Sequence, residues 1–168
     1  PIVGIEPAIK PAMLETKSNN IGVLATEKTL SSNLFLKTSD RFSMGVNIHE
    51  QIGFDLVRII EENGINEELL TPKLKEYIEP MLEKNIDHLV LGCTHYYYLI
   101  CILKKILPSG VKILDSTQAV TKRVEYLLKD YNICSNALKA RDIFLCTGND
   151  HVINKFIGRG NKIDKITI

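Results

Sequence analysis

The chain has 168 residues, 21 Lys plus Arg against 20 Asp plus Glu, 45% apolar residues and four cysteines. At this length roughly 70% of the unfolded surface can be buried, so a packed core needs neither disulfides nor metal, and one domain or two small lobes are both open. A net charge of +1 with both signs interspersed offers no basic face for nucleic acid or anionic lipid.

Along the chain, Pro1 stands where Met is usual and leads into a strand-like run at residues 2–5, which suggests a cut end with something missing upstream. Further short apolar runs at 21–25, 44–48, 88–92, 111–114 and 142–146, with a weaker one at 165–168, read as buried parallel strands. Between them lie helical stripes. Ile52, Leu56, Ile59 and Ile60 form one, and Leu70, Leu74, Tyr77, Ile78 and Met81 form a second, which Pro80 should bend or break. Val120, Val124, Leu127 and Leu128 form a third, with Ser116 as its N-cap. This alternation predicts an α/β fold with a mostly parallel sheet and helices on its faces. The last fifty residues supply two strands and two helices, too few to bury their own apolar faces, so they should dock elsewhere. No run nears the ~18 apolar residues of a membrane span. No signal peptide pattern opens the chain either, and a cytoplasmic protein is expected.

The cysteines, Cys93, Cys101, Cys134 and Cys146, are spaced 8, 33 and 12 apart, with no C-x-x-C pair. Free thiols in a reducing compartment are expected. In His88-Leu-Val-Leu-Gly92-Cys93-Thr94-His95 a buried strand ends and a helical pattern begins at once. Cys93 then sits at the carboxyl end of a central strand, at the mouth of a cleft, where ligands bind in open α/β sheets. A helix N-terminus there favours the thiolate, which would make Cys93 the most reactive of the four, and His95 could supply or relay a proton. The other reading of Cys93 is a small buried hydrophobe. No second ligand pair follows Cys93-x-His95 at zinc-site spacing, so no metal is expected. Cys146, before Thr147-Gly148, is a second candidate, whereas Cys101 and Cys134 read as structural; His49, His88 and His151 read as surface or satisfied core residues.

Gly92-Cys93-Thr94-His95-Tyr96, preceded by Leu89-Val90-Leu91, resembles the second catalytic cysteine motif of the cofactor-independent glutamate racemases, in the aspartate/glutamate racemase superfamily. Gly4-Ile5-Glu6-Pro7-Ala8-Ile9-Lys10-Pro11-Ala12 is similar to that family's interlobe crossing, and Gly22-Val23-Leu24-Ala25-Thr26-Glu27-Lys28-Thr29 to its next strand and turn. Leu114-Asp115-Ser116 and Thr147-Gly148 match in order and spacing. The resemblance implies two lobes with Rossmann-like or flavodoxin-like parallel sheets. Residues 1–116 would form the complete second lobe with the crossing, and 117–168 would return to a first lobe only partly present.

It also implies an amino-acid racemase without cofactor, with glutamate as substrate, D-glutamate for peptidoglycan as product, and a homodimer when full length. By the same resemblance Cys93 is one of two acid/base groups, His95 its assistant, Thr94 a substrate-binding residue and Glu61 a further site residue. For Glu61 a solvated helix carboxylate is the other reading. The family's Asp-Ser turn, Pro-Tyr-Gly segment and Cys-Asn-Thr motif have no counterpart in the chain, so the partner cysteine is expected upstream and the chain alone should be inactive. Tyr97 and Thr117 replace a usual proline and glycine, and a Cys-Pro near Gln51 to Gly53 is missing. An aspartate racemase or related enzyme, or a non-catalytic binding protein such as the members that bind DNA gyrase, are the alternatives.

Overall fold

The computed structural model describes residues 1–42, 45–135, 142–157 and 162–167, the side chains of 41 and 42 excepted. In chain order the elements are α1 (Ile9–Glu15), β1 (Asn20–Ala25), α2 (Glu27–Leu30), α3 (Asn33–Phe42), β2 (Asn47–Ile52), α4 (Leu56–Asn63) and α5 (Glu67–Leu82). There follow β3 (His88–Gly92), a 3-10 helix (Thr94–Leu99), α6 (Ile100–Ile106), β4 (Lys112–Leu114), α7 (Thr117–Asp130), β5 (Phe144–Cys146), α8 (His151–Ile157) and β6 (Ile163–Lys165).

Four strands form a parallel sheet in the order β2-β1-β3-β4. The two central strands are apolar on both faces because helices cover both. Alternation sorts their side chains. Ile21, Val23, Ala25 and Val90 join Ile9, Ala12 and Phe35 in the core beneath α1 and α3. Leu24, Leu89 and Leu91 point the other way, into a larger core with Leu56, Ile60, Leu70, Leu74, Ile78 and Leu103 from α4, α5 and α6.

The helix between β2 and β3 runs unbroken through Pro72 and Pro80. Eight residues apart, both prolines lie on the exposed face, where the carbonyls they leave without an amide partner are open to water. Asn66 starts this helix, its side-chain oxygen accepting from the amides of Glu68 (3.0 Å) and Leu69 (3.3 Å).

Several expectations shift. Residues 2–5 form no strand, and the chain here is held by the Ser116 hydroxyl, which donates to the Glu6 carbonyl. Ser116 therefore does not cap α7; the Asp115 carboxylate does so, accepting from the Thr117 amide at 2.8 Å. Ile52 closes β2 instead of opening a helix, and the stripe begins at Leu56. Met44 and Ile168, placed in strands by the sequence, lie outside the described residues, and β2 and β6 run over Asn47–Ile52 and Ile163–Lys165.

In the C-terminal region, among the described residues, β5 and β6 pair only with each other, in parallel, and of the predicted α7 stripe only Leu127 is buried, with Val124 and Leu128 exposed. Among the described residues no helix is long and apolar enough to cross a membrane.

At the opposite edge from the strand ends, Asp87 ties the start of β3 to the turn before β1. Its carboxylate accepts from the Thr16 hydroxyl (2.7 Å) and the backbone amides of Lys17 (2.6 Å) and Ser18 (2.9 Å), and it meets His88 Nδ1 at 2.7 Å. Burial acts to raise this carboxyl, but the bonds from Thr16, His88, Ser18 and Lys17 outweigh it and hold it well below the usual carboxylate range. The stabilisation is thus complete above about pH 4 and is lost as pH falls from there toward the folded value. Asp87→Asn should lower the thermal midpoint at pH 7, and its deficit against the unaltered protein should shrink below about pH 4. Thermal melts between pH 7 and pH 3 check this, and a deficit that stays constant across the range would contradict it.

Candidate active site

The carboxyl end of β3 is where the sheet opens. Gly92, the last strand residue, packs so tightly on β1 that a Cβ there would stand 2.6 Å from the Ala25 Cβ, so the strand ends on a residue without a side chain. Cys93 follows in extended conformation (φ −146°, ψ 139°) and occupies the position just before the 3-10 helix. Its half-buried thiol lines a cleft of about 290 Å³. Thr94 and Tyr97 continue that wall, Asp115, Ser116 and Thr117 enter from beyond β4, and Glu6, Pro7 and Thr29 close the far side. The sequence placement of Cys93 at a strand end in a cleft is what the geometry has.

Its expected acidity is not. Burial pushes the Cys93 thiol above its ordinary range, and this outweighs the backbone amides of His95 and Tyr96; the Glu61 carboxylate adds to the upward shift. The 3-10 helix is only six residues long and its opening amides do too little to offset desolvation.

Thr94 lies in the cleft beside Cys93, but His95 and Glu61 do not line it. The structure instead brings those two together: His95 Nε2 lies 2.9 Å from Glu61 Oε1, joining the 3-10 helix to α4. The carboxylate fixes the orientation of the imidazole, two residues beyond Cys93 in the chain. Tyr96, fully buried, anchors the same turn by donating its hydroxyl to the Gly53 carbonyl at 3.0 Å, and burial raises that hydroxyl's pKa. A side chain at residue 53 would meet the Tyr96 oxygen at 2.4 Å.

All four cysteines are free; Cys101 and Cys134 are exposed, and Cys146 ends β5. His88 and His49 are satisfied structural residues, the latter with its Nε2 3.0 Å from the Asn20 side-chain oxygen. Among the described residues no three His, Cys, Asp or Glu side chains converge as a metal site would require. Sequence reasoning missed Glu6, Pro7 and Thr29 as cleft residues. It also gave Asp115 no role, although a polar triplet directly after an apolar strand was a signal for one.

The Asp/Glu/hydantoin racemase family model matches residues 1–124, including Cys93 and its strand. The chain belongs to this family. A glutamate racemase of Pseudomonas syringae pv. tomato is 39% identical over 142 residues, covering 84% of this chain and 51% of that protein. One from Pseudomonas entomophila is 34% identical over 157 residues, 94% of this chain and 59% of the relative. The racemase fold is equally plain in solved structures. A Bacillus anthracis glutamate racemase isoform superposes with a TM-score of 0.79 at 26% identity, over 100% of this chain and 64% of that one. The Escherichia coli enzyme, solved with L-glutamate and the activator UDP-MurNAc-Ala, gives 0.78 at 26% identity over 99% and 65%. This family member thus spans about half the length of the curated relatives it matches.

The raised thiol makes its own prediction. Alkylation of Cys93 by iodoacetamide, followed by peptide mass spectrometry against pH, should have a midpoint above the ~8.5 of a free thiol. Near neutral pH Cys93 should label more slowly than the exposed Cys101 and Cys134. Glu61→Gln should move the Cys93 midpoint downward, because it removes the nearby negative charge. A midpoint below 8.5 in the unaltered protein would contradict the burial argument.

Proposed function

We propose that the protein carrying this chain is a glutamate racemase, interconverting L- and D-glutamate without a cofactor, with Cys93 as the acid/base group on one face of the substrate. The observation that carries this reading is the placement of the Cys93 thiol in the strand-end cleft, in a chain whose relatives are glutamate racemases. An amino-acid α-proton is weakly acidic, so its removal calls for a strong base, and inversion calls for a donor on the opposite face. A thiol raised by burial suits both halves. It rests protonated as a donor, and its thiolate is more basic than an exposed one.

On this reading Thr94 binds substrate, and the Glu61–His95 pair serves the thiol as its assistant. Asp115, Ser116 and Thr117 line the same cleft, where preorganised donors would meet the carbanion. Among the described residues, the cleft lining holds Cys93 and no other cysteine. We therefore place the second acid/base cysteine in the part of the relatives' length that this chain does not span. Residues 1–116 would make one lobe, and 117–168 would return to complete the other. The exposed α7 face and the isolated β5–β6 pair support that arrangement. Homodimer formation, cytoplasmic location and supply of D-glutamate for peptidoglycan belong to the same proposal.

Circular dichroism of D-glutamate conversion tests it on the full-length protein. The unaltered enzyme should racemise glutamate, and Cys93→Ser should lower kcat/KM by roughly 10²- to 10⁴-fold. The 168-residue chain alone should show no useful activity. Full activity of that chain would place the second acid/base group among these residues and overturn the division of labour.

A further inference from the structure

The C-terminal helix α8 carries no buried residue, yet it touches both elements that hold the Glu61–His95 pair. Lys155 reaches from α8 to the end of α4, where its Nζ donates to the carbonyl of Glu61 at 2.7 Å and to that of Glu62 at 2.5 Å. Helix α4 ends at Asn63, so neither carbonyl has an amide four residues on within the helix. An ammonium at that terminus satisfies two orphan acceptors and opposes the negative end of the helix dipole. One residue further, Phe156 packs on Tyr98 of the 3-10 helix, with ring centroids 4.7 Å apart. Val152, Ile153 and Phe156 face Thr94, His95 and Tyr98 across a small crevice.

The geometry points to α8 as a clamp on the site, with Lys155 as a positioning residue for the Glu61–His95 pair. The carbonyl that Lys155 holds belongs to the same residue whose carboxylate meets His95, so the bond fixes the backbone from which that carboxylate projects. Phe156 fixes the other partner, because Tyr98 sits one turn beyond His95 on the 3-10 helix. Neither residue lines the cleft of Cys93, so both act through the pair and not on substrate. A shift of about 1 Å in a supporting group can cost up to about 100-fold in rate, which makes so exposed a lysine consequential.

The inference rests on the racemase reading, and its test separates the two. In the full-length protein, Lys155→Met should lower kcat for D-glutamate by roughly tenfold or more, with KM changed less than about twofold. Lys155→Arg, which keeps the charge and can reach both carbonyls, should restore most of the loss; Phe156→Ala should act in the same direction as Lys155→Met. Hydrogen exchange of the same proteins reads the clamp without activity. Lys155→Met should speed deuterium uptake in peptides covering α4's last turn and the 3-10 helix, and leave α5 unchanged. Unaltered protein that fails to racemise glutamate would overturn the racemase reading, and the exchange result would still decide the clamp. An active Lys155→Met protein with unaltered kcat, or with no change in exchange, would overturn the positioning role. So would an equal loss in Lys155→Arg.

Discussion

A strand buried on both faces has one place where its chemistry can reach water, and that is its end. β3 is such a strand: all five residues are buried, β1 and β4 flank it, and helices close both faces. The first residue past it is Cys93. Because Gly92 lies against Ala25 with no room for a side chain, the strand end cannot slide or twist without separating β1 from β3. The thiol's position is thereby set by the most densely buried part of the molecule and not by a surface loop.

Polar anchors guard the two ends of that strand in different ways. At its start Asp87 gathers donors from Thr16, Lys17, Ser18 and His88, which pins α1 to the sheet. Past its end the Tyr96 hydroxyl, the Glu61–His95 pair and the Lys155 ammonium each connect the 3-10 helix or α4 to a different neighbour. Hydrophobic burial supplies the strand's stability without direction, and these few bonds supply the direction. The site is therefore held by a rigid strand on one side and by a set of directional contacts on the other.

Most of the central sheet could be read from the sequence, because two-faced burial writes short apolar runs such as Leu89-Val90-Leu91 and Ile21-Gly22-Val23-Leu24. The strand-end cysteine followed from the same run. Residues 2–5 misled because an apolar run of four does not say whether a neighbouring strand is available; here the segment is held by Ser116, over a hundred positions away. Pro80 misled because its cost depends on which face of the helix it occupies, and the exposed face leaves the lost carbonyl hydrated. The acidity of Cys93 turned on how deeply the thiol is covered, a tertiary quantity that no local motif contains. Lys155 was invisible for a related reason: a lysine on a short amphipathic helix reads as solvated, and only the fold puts the end of α4 within its reach.

The strand order carries a consequence for synthesis. β1 has its neighbours on either side in space from segments made at different times: β2 follows soon after it, whereas β3 emerges about sixty residues later. At about 5–20 residues per second that interval is roughly 3–12 s, during which the edge of β1 that β3 will occupy has no final partner. Parallel pairing cannot be hurried by a hairpin, since each new strand must wait for its crossover. The nascent chain therefore passes through a stage in which its future centre is its outermost edge, and that is the stage at which ribosome-associated chaperones would have most to cover.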